Sequence, residues 1–296
     1  SAVVINSPAY YQSSEYNTQY GLGNINAAEI YSDGYSGSGV TVAVIDTGVD
    51  LDHPDLADNI ASGGYDYIDN DADANPNGQG TYMSHGTHVA GIIAGVKNDV
   101  GMHGVAYNAK ILALRAGISS GSLSGSAVAS SIDRAISQGA KVINASFSGA
   151  SISTTIADKW LSAHNNNIVS VHAAGNDYLE NTAYDDDNPL YGARLPVELG
   201  YEALADTLIA VVATDSTDAI ADYSNRCGDA QNWCMAAPGS DIYSAVDTTD
   251  NTDNNGDGYD TYSGTSVAAP HVSGAVAILR SKWPSKSAAE VVSILY

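Results

Sequence analysis

The sequence predicts an α/β fold of three layers: a central, mostly parallel twisted sheet covered by helices on both faces. Two observations predict it. Short apolar runs rich in Val and Ile alternate with longer stretches whose apolar residues recur at helical spacing. Those short runs also lack the in-out polar alternation of a half-exposed strand. Strands buried on both faces belong to parallel sheets, because the helical crossovers cover them. A length of 296 residues, 44% hydrophobic, suits one large α/β unit spanning 1–296.

Residues 1–22 are rich in Tyr, Ser and Asn and read as an extended arm lying on the domain. VTVAVI (40–45) is the first strand. HVAGIIAGV (88–96) puts Val89, Ile92, Ile93 and Val96 on one helix face. ILAL (111–114) is a strand, and 126–138 is a helix with Val128, Ile132, Ala135 and Ile136 inward. KVINA (141–145) is a strand, and Ile152, Ile156 and Trp160 mark a helix over 152–164. IVSVH (168–172) and LIAVVA (208–213) are two more buried strands. Val272, Ala275, Val276 and Leu279 make the last helix a buried one. Segments 66–80, 177–189 and 247–260 are loops by composition. No fixed-period repeat is present.

Charge excludes some functions. Against 34 acidic residues stand 11 basic ones, a net −23. Nucleic acid is excluded as a partner, because phosphate binding needs clustered Lys and Arg. An anionic membrane surface is disfavoured for the same reason, and no apolar run is long enough to span a bilayer. The first residues show no signal peptide, so a processed chain is expected. Cys227 and Cys234 have six residues between them. That is no zinc spacing; a small disulfide loop in an exported protein is expected, with two free thiols as the rival.

Parallel α/β sheets gather functional groups at the carboxyl ends of their strands. Asp46 follows VTVAVI, Ser146 ends KVINA, and Asn176 follows IVSVHAAG. His85 opens one helix and Ser266 another. Asp, His and Ser at one sheet edge are the parts of a nucleophilic triad. A serine hydroxyl needs an imidazole base, and the imidazole needs a carboxylate to hold its tautomer. A helix N-terminus at Ser266 offers N–H groups and partial positive charge to an oxyanion. Pro270, near the first turn, is expected to cost that helix little.

IDTG (45–48), HGTHVAG (85–91), AAGN (173–176) and GTSVAAPH (264–271) together resemble the subtilisin-like serine proteases, the subtilases. The motifs stand in the family's order, and the resemblance runs from about Tyr20 to Tyr296. It implies a secreted serine endopeptidase working through an acyl-enzyme on Ser266. His85 would be the base, Asp46 its orienting carboxylate, and Asn176 an oxyanion donor beside the Ser266 N–H. Ser146, Phe147, Ser148 and Gly149, with Ala173, Ala174 and Gly175, would wall the pocket for the residue before the scissile bond. Phe147 and Ser148 depart from the usual residues there. SSGSLSG (119–125) is expected to offer a strand edge to an extended polypeptide.

The resemblance implies no cofactor for the chemistry, and a structural calcium as an addition. Asp55 and Asn98 would be side-chain ligands, the loop 96–102 would give carbonyls, and Tyr16 stands where a glutamine ligand is common. A second candidate is Asp253, Asn255 and Asp257 before Gly258, which resembles half an EF-hand loop. His53, His88 and His271 read as structural. NRCGDAQNWCMAAPG (225–239) resembles subtilases exported as autotransporter passengers of Gram-negative bacteria, which would place the protein at a cell surface. Relatives continue beyond VVSILY, implying a truncated C-terminal end. A propeptide and a monomer are also expected. The rival from a different class is a catalytically silent peptide-binding module of the same fold. An α/β-hydrolase esterase is disfavoured, because Ser266 lacks a GxSxG elbow.

Overall fold

The computed structural model describes residues 6–78, 80–149, 151, 153–178, 187–249 and 256–296. The strands are β1 Thr41–Asp46, β2 Tyr65–Asp66, β3 Lys110–Arg115, β4 Val142–Ala145, β5 Val169–Ala173, β6 Leu208–Thr214, β7 Cys234–Pro238, β8 Ile242–Ala245 and β9 Tyr259–Tyr262. The α-helices are α1 Pro8–Tyr11, α2 Ser14–Thr18, α3 Tyr20–Asn24, α4 Ala27–Ser32, α5 Thr81–Ala94, α6 Gly125–Ser137, α7 Thr154–Asn165, α8 Thr265–Lys282 and α9 Ala288–Leu295.

Seven strands form one parallel sheet in the order β2-β3-β1-β4-β5-β6-β7. The chain runs outward from β1 to β3, then returns to the other side of β1 with β4. That reversal makes a switch point at the carboxyl ends of β1 and β4, where α/β sheets bind ligands.

The central strands feed two cores. Val42 and Val44, with Ile111 and Ala113, face one side; Ala43 and Ile45, with Leu112 and Leu114, face the other. Helices α5 and α8 cover the first face, with α8 lying under β4 to β7. Helices α6 and α7 pack together on the second, where Val128, Ile132 and Trp160 are buried. The three-layer architecture expected from the apolar runs is the one observed. Ile152, expected on the seventh helix's inner face, lies outside the described residues.

Several local expectations need correction. Of the arm expected over 1–22, residues 1–5 lie outside the described residues and the rest is not extended: it turns through α1, α2 and α3, and Tyr16 and Leu22 are buried in the first core. Helix α5 begins a turn before His85, at Thr81. It ends before Val96, because Gly95 leaves the helix and the Val96 N–H turns to the Asp55 carbonyl (2.7 Å). The segment 247–260 runs into β9, which pairs antiparallel with β8. Residues 119–125 pair along one side only, with 116–118, as Ser124 N–H bonds Ala116 O (2.9 Å). Ile118 N–H bonds Ser122 O (3.0 Å) and Gly117 bridges Leu123, so the segment folds back on itself before α6.

Candidate active site

Asp46 ends β1 and is 2% exposed. Its Oδ1 lies 2.9 Å from His85 Nδ1 and also accepts from Thr47 N–H (2.8 Å). The close approach depends on Gly86. A Cβ there would stand 2.1 Å from Gly48 O and 3.0 Å from Asp46 Cβ, so only glycine lets α5 rest on the end of β1. Burial disfavours a charged imidazole at His85. The Asp46 charge and hydrogen bond outweigh that, and its pKa stands above the ordinary 6.5.

Ser266 is the second residue of α8. Its N–H has no hydrogen bond among the described residues, as expected in a first helical turn. Its carbonyl has an unusual partner. Pro270 lies in the second turn and has no N–H for the Ser266 oxygen four residues back. Ser146 Oγ donates to that oxygen instead (2.6 Å). Ser146 in turn accepts from Asn144 Nδ2 (2.8 Å), whose Oδ1 accepts from Ser273 Oγ (2.7 Å). The expectation that Pro270 costs little because it falls near the first turn is corrected. The lost bond is real, and a side chain from the end of β4 replaces it.

Asn176 is locked by Thr265. Its Oδ1 accepts from both Thr265 N–H and Thr265 Oγ1, each at 2.9 Å, while Thr265 Oγ1 accepts from Gly175 N–H (3.0 Å). The amide oxygen is thus engaged and the Nδ2 end is turned the other way. A Cβ built on Gly264 would lie 3.0 Å from Ser266 Oγ, 3.3 Å from Asn176 Nδ2 and 3.7 Å from Ser266 N. Glycine at 264 leaves open a space bounded by one hydroxyl and two N–H donors.

Asp46, His85, Asn176 and Ser266 line one cleft of about 580 Å³, with Ser146, Phe147, Ser148 and Ala173. Gly149 lines the neighbouring cavity. Ala174 packs in the second core, and Gly175 is buried against Thr265, so neither is among the residues lining these cavities. The three histidines expected to be structural are bound internally. His88 Nε2 meets Ile242 O (2.9 Å), and burial lowers its pKa to about 3. His271 Nδ1 meets Val267 O (3.0 Å), and His53 Nε2 meets Gly258 O (2.9 Å). Cys227 and Cys234 form a disulfide, with Cα atoms 5.8 Å apart, tying a short loop to the start of β7.

Among the described residues no group of three or more His, Cys, Asp or Glu side chains is poised for a metal. Asp253 and Asn255 lie outside the described residues, and Asp257 Oδ1 accepts from Tyr259 N–H (3.1 Å). Asp55 is fully buried; its Oδ1 accepts from Asn98 Nδ2 (3.0 Å) and its Oδ2 from Tyr259 OH (2.8 Å). Burial raises its pKa, with the Tyr259 hydroxyl opposing. Tyr16 contributes nothing to this loop; its hydroxyl donates to Leu22 O (2.8 Å). Its neighbour Glu15 does. Glu15 Oε1 accepts from Asn98 N–H (2.8 Å) and Asp99 N–H (2.7 Å). Its Oε2 is buried without a partner among the described residues. Two buried carboxylates meet at one loop, with Glu15 Oε2 the oxygen left without a partner; a carboxylate oxygen is the donor type calcium takes, while the Asn98 oxygen is held by Val100 N–H (2.9 Å). Sequence reasoning missed Glu15, because an acid in a polar arm carries no signal of burial.

A family model described as the subtilase family, Peptidase_S8, matches residues 37–296. Thermitase of Thermoactinomyces vulgaris is 39% identical over 270 residues, covering 91% of this chain and 84% of that protein. Subtilisin DY of Bacillus licheniformis is 36% identical over 272 residues, covering 92% of this chain and 88% of that protein. Subtilisin E of Bacillus subtilis is 37% identical over 275 residues, 92% of this chain, and the match spans 63% of its length. The crystal structure of a cold adapted subtilisin-like serine proteinase is also similar. Its TM-score is 0.67 at 34% identity, over 88% of this chain and 82% of that one. With a family match over nearly the whole chain, relatives at this identity and the same fold, the chain belongs to the subtilase family and is a subtilisin-like serine endopeptidase.

Proposed function

We propose that the chain hydrolyses peptide bonds of loose or unfolded polypeptides through an acyl-enzyme on Ser266, with Asp46, His85 and Ser266 as the triad. The observation that carries this reading is the convergence beside Gly264 of Ser266 Oγ, Asn176 Nδ2 and the unbonded Ser266 N–H. Ser266 Oγ attacks the substrate carbonyl as His85 takes its proton. Asp46, on Nδ1, holds the tautomer that leaves Nε2 basic and stabilises the imidazolium. The carbonyl oxygen becomes an oxyanion and takes the two N–H groups. His85 then protonates the leaving amine. Water repeats the sequence and frees the acid product.

The disulfide favours an oxidising, extracellular setting. Among the described residues no helix is long and apolar enough to cross a membrane. A net charge of −23 argues against nucleic acid. A propeptide and a monomeric state complete the proposal on family grounds. The relatives named above give no support to the autotransporter branch. Glu15, Asp55 and Asn98 would hold a calcium, which supplies positive charge between two buried carboxylates and takes no part in hydrolysis.

The test is a kinetic comparison on a reduced, unfolded polypeptide and on a short peptide substrate. The wild type should cleave both. Asn176→Ala should lower kcat on the order of 10²–10³-fold with KM little changed, because the amide acts on the transition state. A change confined to KM would contradict the oxyanion role, and an inert wild type would contradict the enzyme.

A further inference from the structure

Thr265 holds the side chain of Asn176, and a second residue, Asn225, holds the backbone on both sides of it. Asn176 lies in the segment 174–177, which follows β5. Beside it runs the segment 221–226, which returns past the end of β6. Ala221 N–H donates to Ala213 O (2.9 Å), and Ala213 N–H donates to Ser224 Oγ (3.0 Å). From that anchor, Asn225 N–H donates to Gly175 O (3.0 Å) and Asn225 Oδ1 accepts from Asp177 N–H (2.8 Å). The two bonds grip the residues immediately before and after Asn176.

The rest of the Asn225 amide is used as well. Its Nδ2 donates to Asn188 O (3.0 Å), and Asn188 Oδ1 accepts from Asp229 N–H (2.7 Å) in the loop closed by the disulfide. The reverse amide orientation would set a donor against Asp177 N–H and an oxygen against Asn188 O, so a single orientation satisfies both partners. Gly175, at φ +112°, makes room: a Cβ there would stand 2.8 Å from Leu190 Cδ1 and 3.2 Å from Asn225 Cγ. Tyr178 N–H donates to Tyr223 O (3.3 Å), and the Arg226 guanidinium lies over the Tyr178 ring at 3.8 Å. Asn225 is fully buried and is not among the residues lining the cleft or the cavity beside it, so it does not meet substrate.

We propose that Asn225 is a positioning residue for the oxyanion donor. It fixes the peptide groups that flank Asn176, and so sets where Asn176 Nδ2 stands relative to Ser266. This rests on the oxyanion role proposed above for Asn176. Thr265 holds the Asn176 amide oxygen and the Gly175 N–H, and leaves the Gly175 carbonyl and the Asp177 N–H to Asn225. If the backbone at 175–177 shifted, the Nδ2 end would swing about the oxygen that Thr265 holds. An oxyanion donor works only within hydrogen-bond reach of the developing charge, and a donor fixed beforehand needs no reorganisation as that charge forms. A misplacement of about 1 Å can cost on the order of 10²-fold in rate.

The experiment is a double-mutant cycle between Asn225→Leu, similar in shape but without the amide, and Asn176→Ala. Both kcat and KM are measured on one short peptide substrate and scaled to the folded fraction of each sample. Alone, Asn225→Leu should lower kcat on the order of 10–10²-fold with KM little changed. Added to Asn176→Ala, it should leave kcat within about 2-fold of Asn176→Ala alone, because the donor it positions is gone. If Asn225→Leu does not fold, Asn225→Ser, whose hydroxyl is too short to reach both partners, completes the same cycle. An unchanged kcat overturns the proposal. So does a loss confined to KM, or the same fractional loss in both backgrounds, which is what general loosening of the fold would give. If Asn176→Ala by itself leaves kcat unchanged, the oxyanion reading fails, a result read on the other side of the cycle.

Discussion

At the scale of single residues, the site is a set of groups each held by a neighbour that has no catalytic task. Thr265 fixes the Asn176 amide, Gly86 lets His85 reach Asp46, and Gly264 keeps open the space proposed for the oxyanion. The electrostatics at His85 give a pH prediction. Burial lowers its pKa, but the Asp46 charge and hydrogen bond raise it further, and the net shift is upward from 6.5. The base must be neutral to act, so kcat/KM should fall as pH drops through a value above 6.5. Asp46→Asn removes the raising contribution. Its acid limb should move to lower pH, with a rate loss on the order of 10⁴-fold, a figure taken from serine triads at large. A limb that stays in place would detach His85 from Asp46. For the fold the sign is opposite. A raised pKa in the folded state stabilises it below the unfolded value, and this is lost as pH rises through the folded one.

At the scale of elements, the buried strands and the long helices were legible because their apolar residues carry a period. The four motifs proposed for the active site were legible through their resemblance to the subtilases, and they fall at strand ends and helix starts, where this architecture presents side chains. What escaped was short or non-local. Strands β8 (IYSA) and β9 (YDTY) mix Tyr with polar residues and have no apolar run. Tyr16 stands where the resemblance puts a glutamine ligand, but it is Glu15 that bonds the loop 96–102, since nothing in a polar arm marks which side chain turns inward. The compensation for Pro270 comes from Ser146, 120 residues away, which no local pattern could reveal. That pairing is testable. Ser146→Ala leaves the part-buried Ser266 carbonyl without its donor and should cost about 1 kcal/mol in denaturant unfolding. Adding Pro270→Ala restores an N–H to the helix. Part of that loss should be recovered, the remainder reflecting the Asn144 amide left without its acceptor. Strictly additive effects would show that the two residues do not share the Ser266 carbonyl.

At the scale of the whole molecule, one sheet separates two cores, and the switch point between β3, β1 and β4 places the cleft at its carboxyl edge. The N-terminal helices are part of that body rather than an appendage: Glu15 binds the loop after α5. A chain with net charge −23 that also buries Glu15 and Asp55 at one loop would gain from the divalent cation proposed there. Chelation of calcium should therefore lower the melting temperature, and Glu15→Gln should shrink the difference between calcium-loaded and chelated protein. An unchanged melting curve in excess chelator would remove calcium from the account.

Covalent labelling reads out directly whether Ser266 is an activated nucleophile. The folded protein would be treated with a fluorophosphonate, weighed intact and mapped by peptide mass. The account predicts one adduct, on Ser266, and none in His85→Ala. A folded protein that takes no label, or takes it at another residue, would contradict the triad assignment.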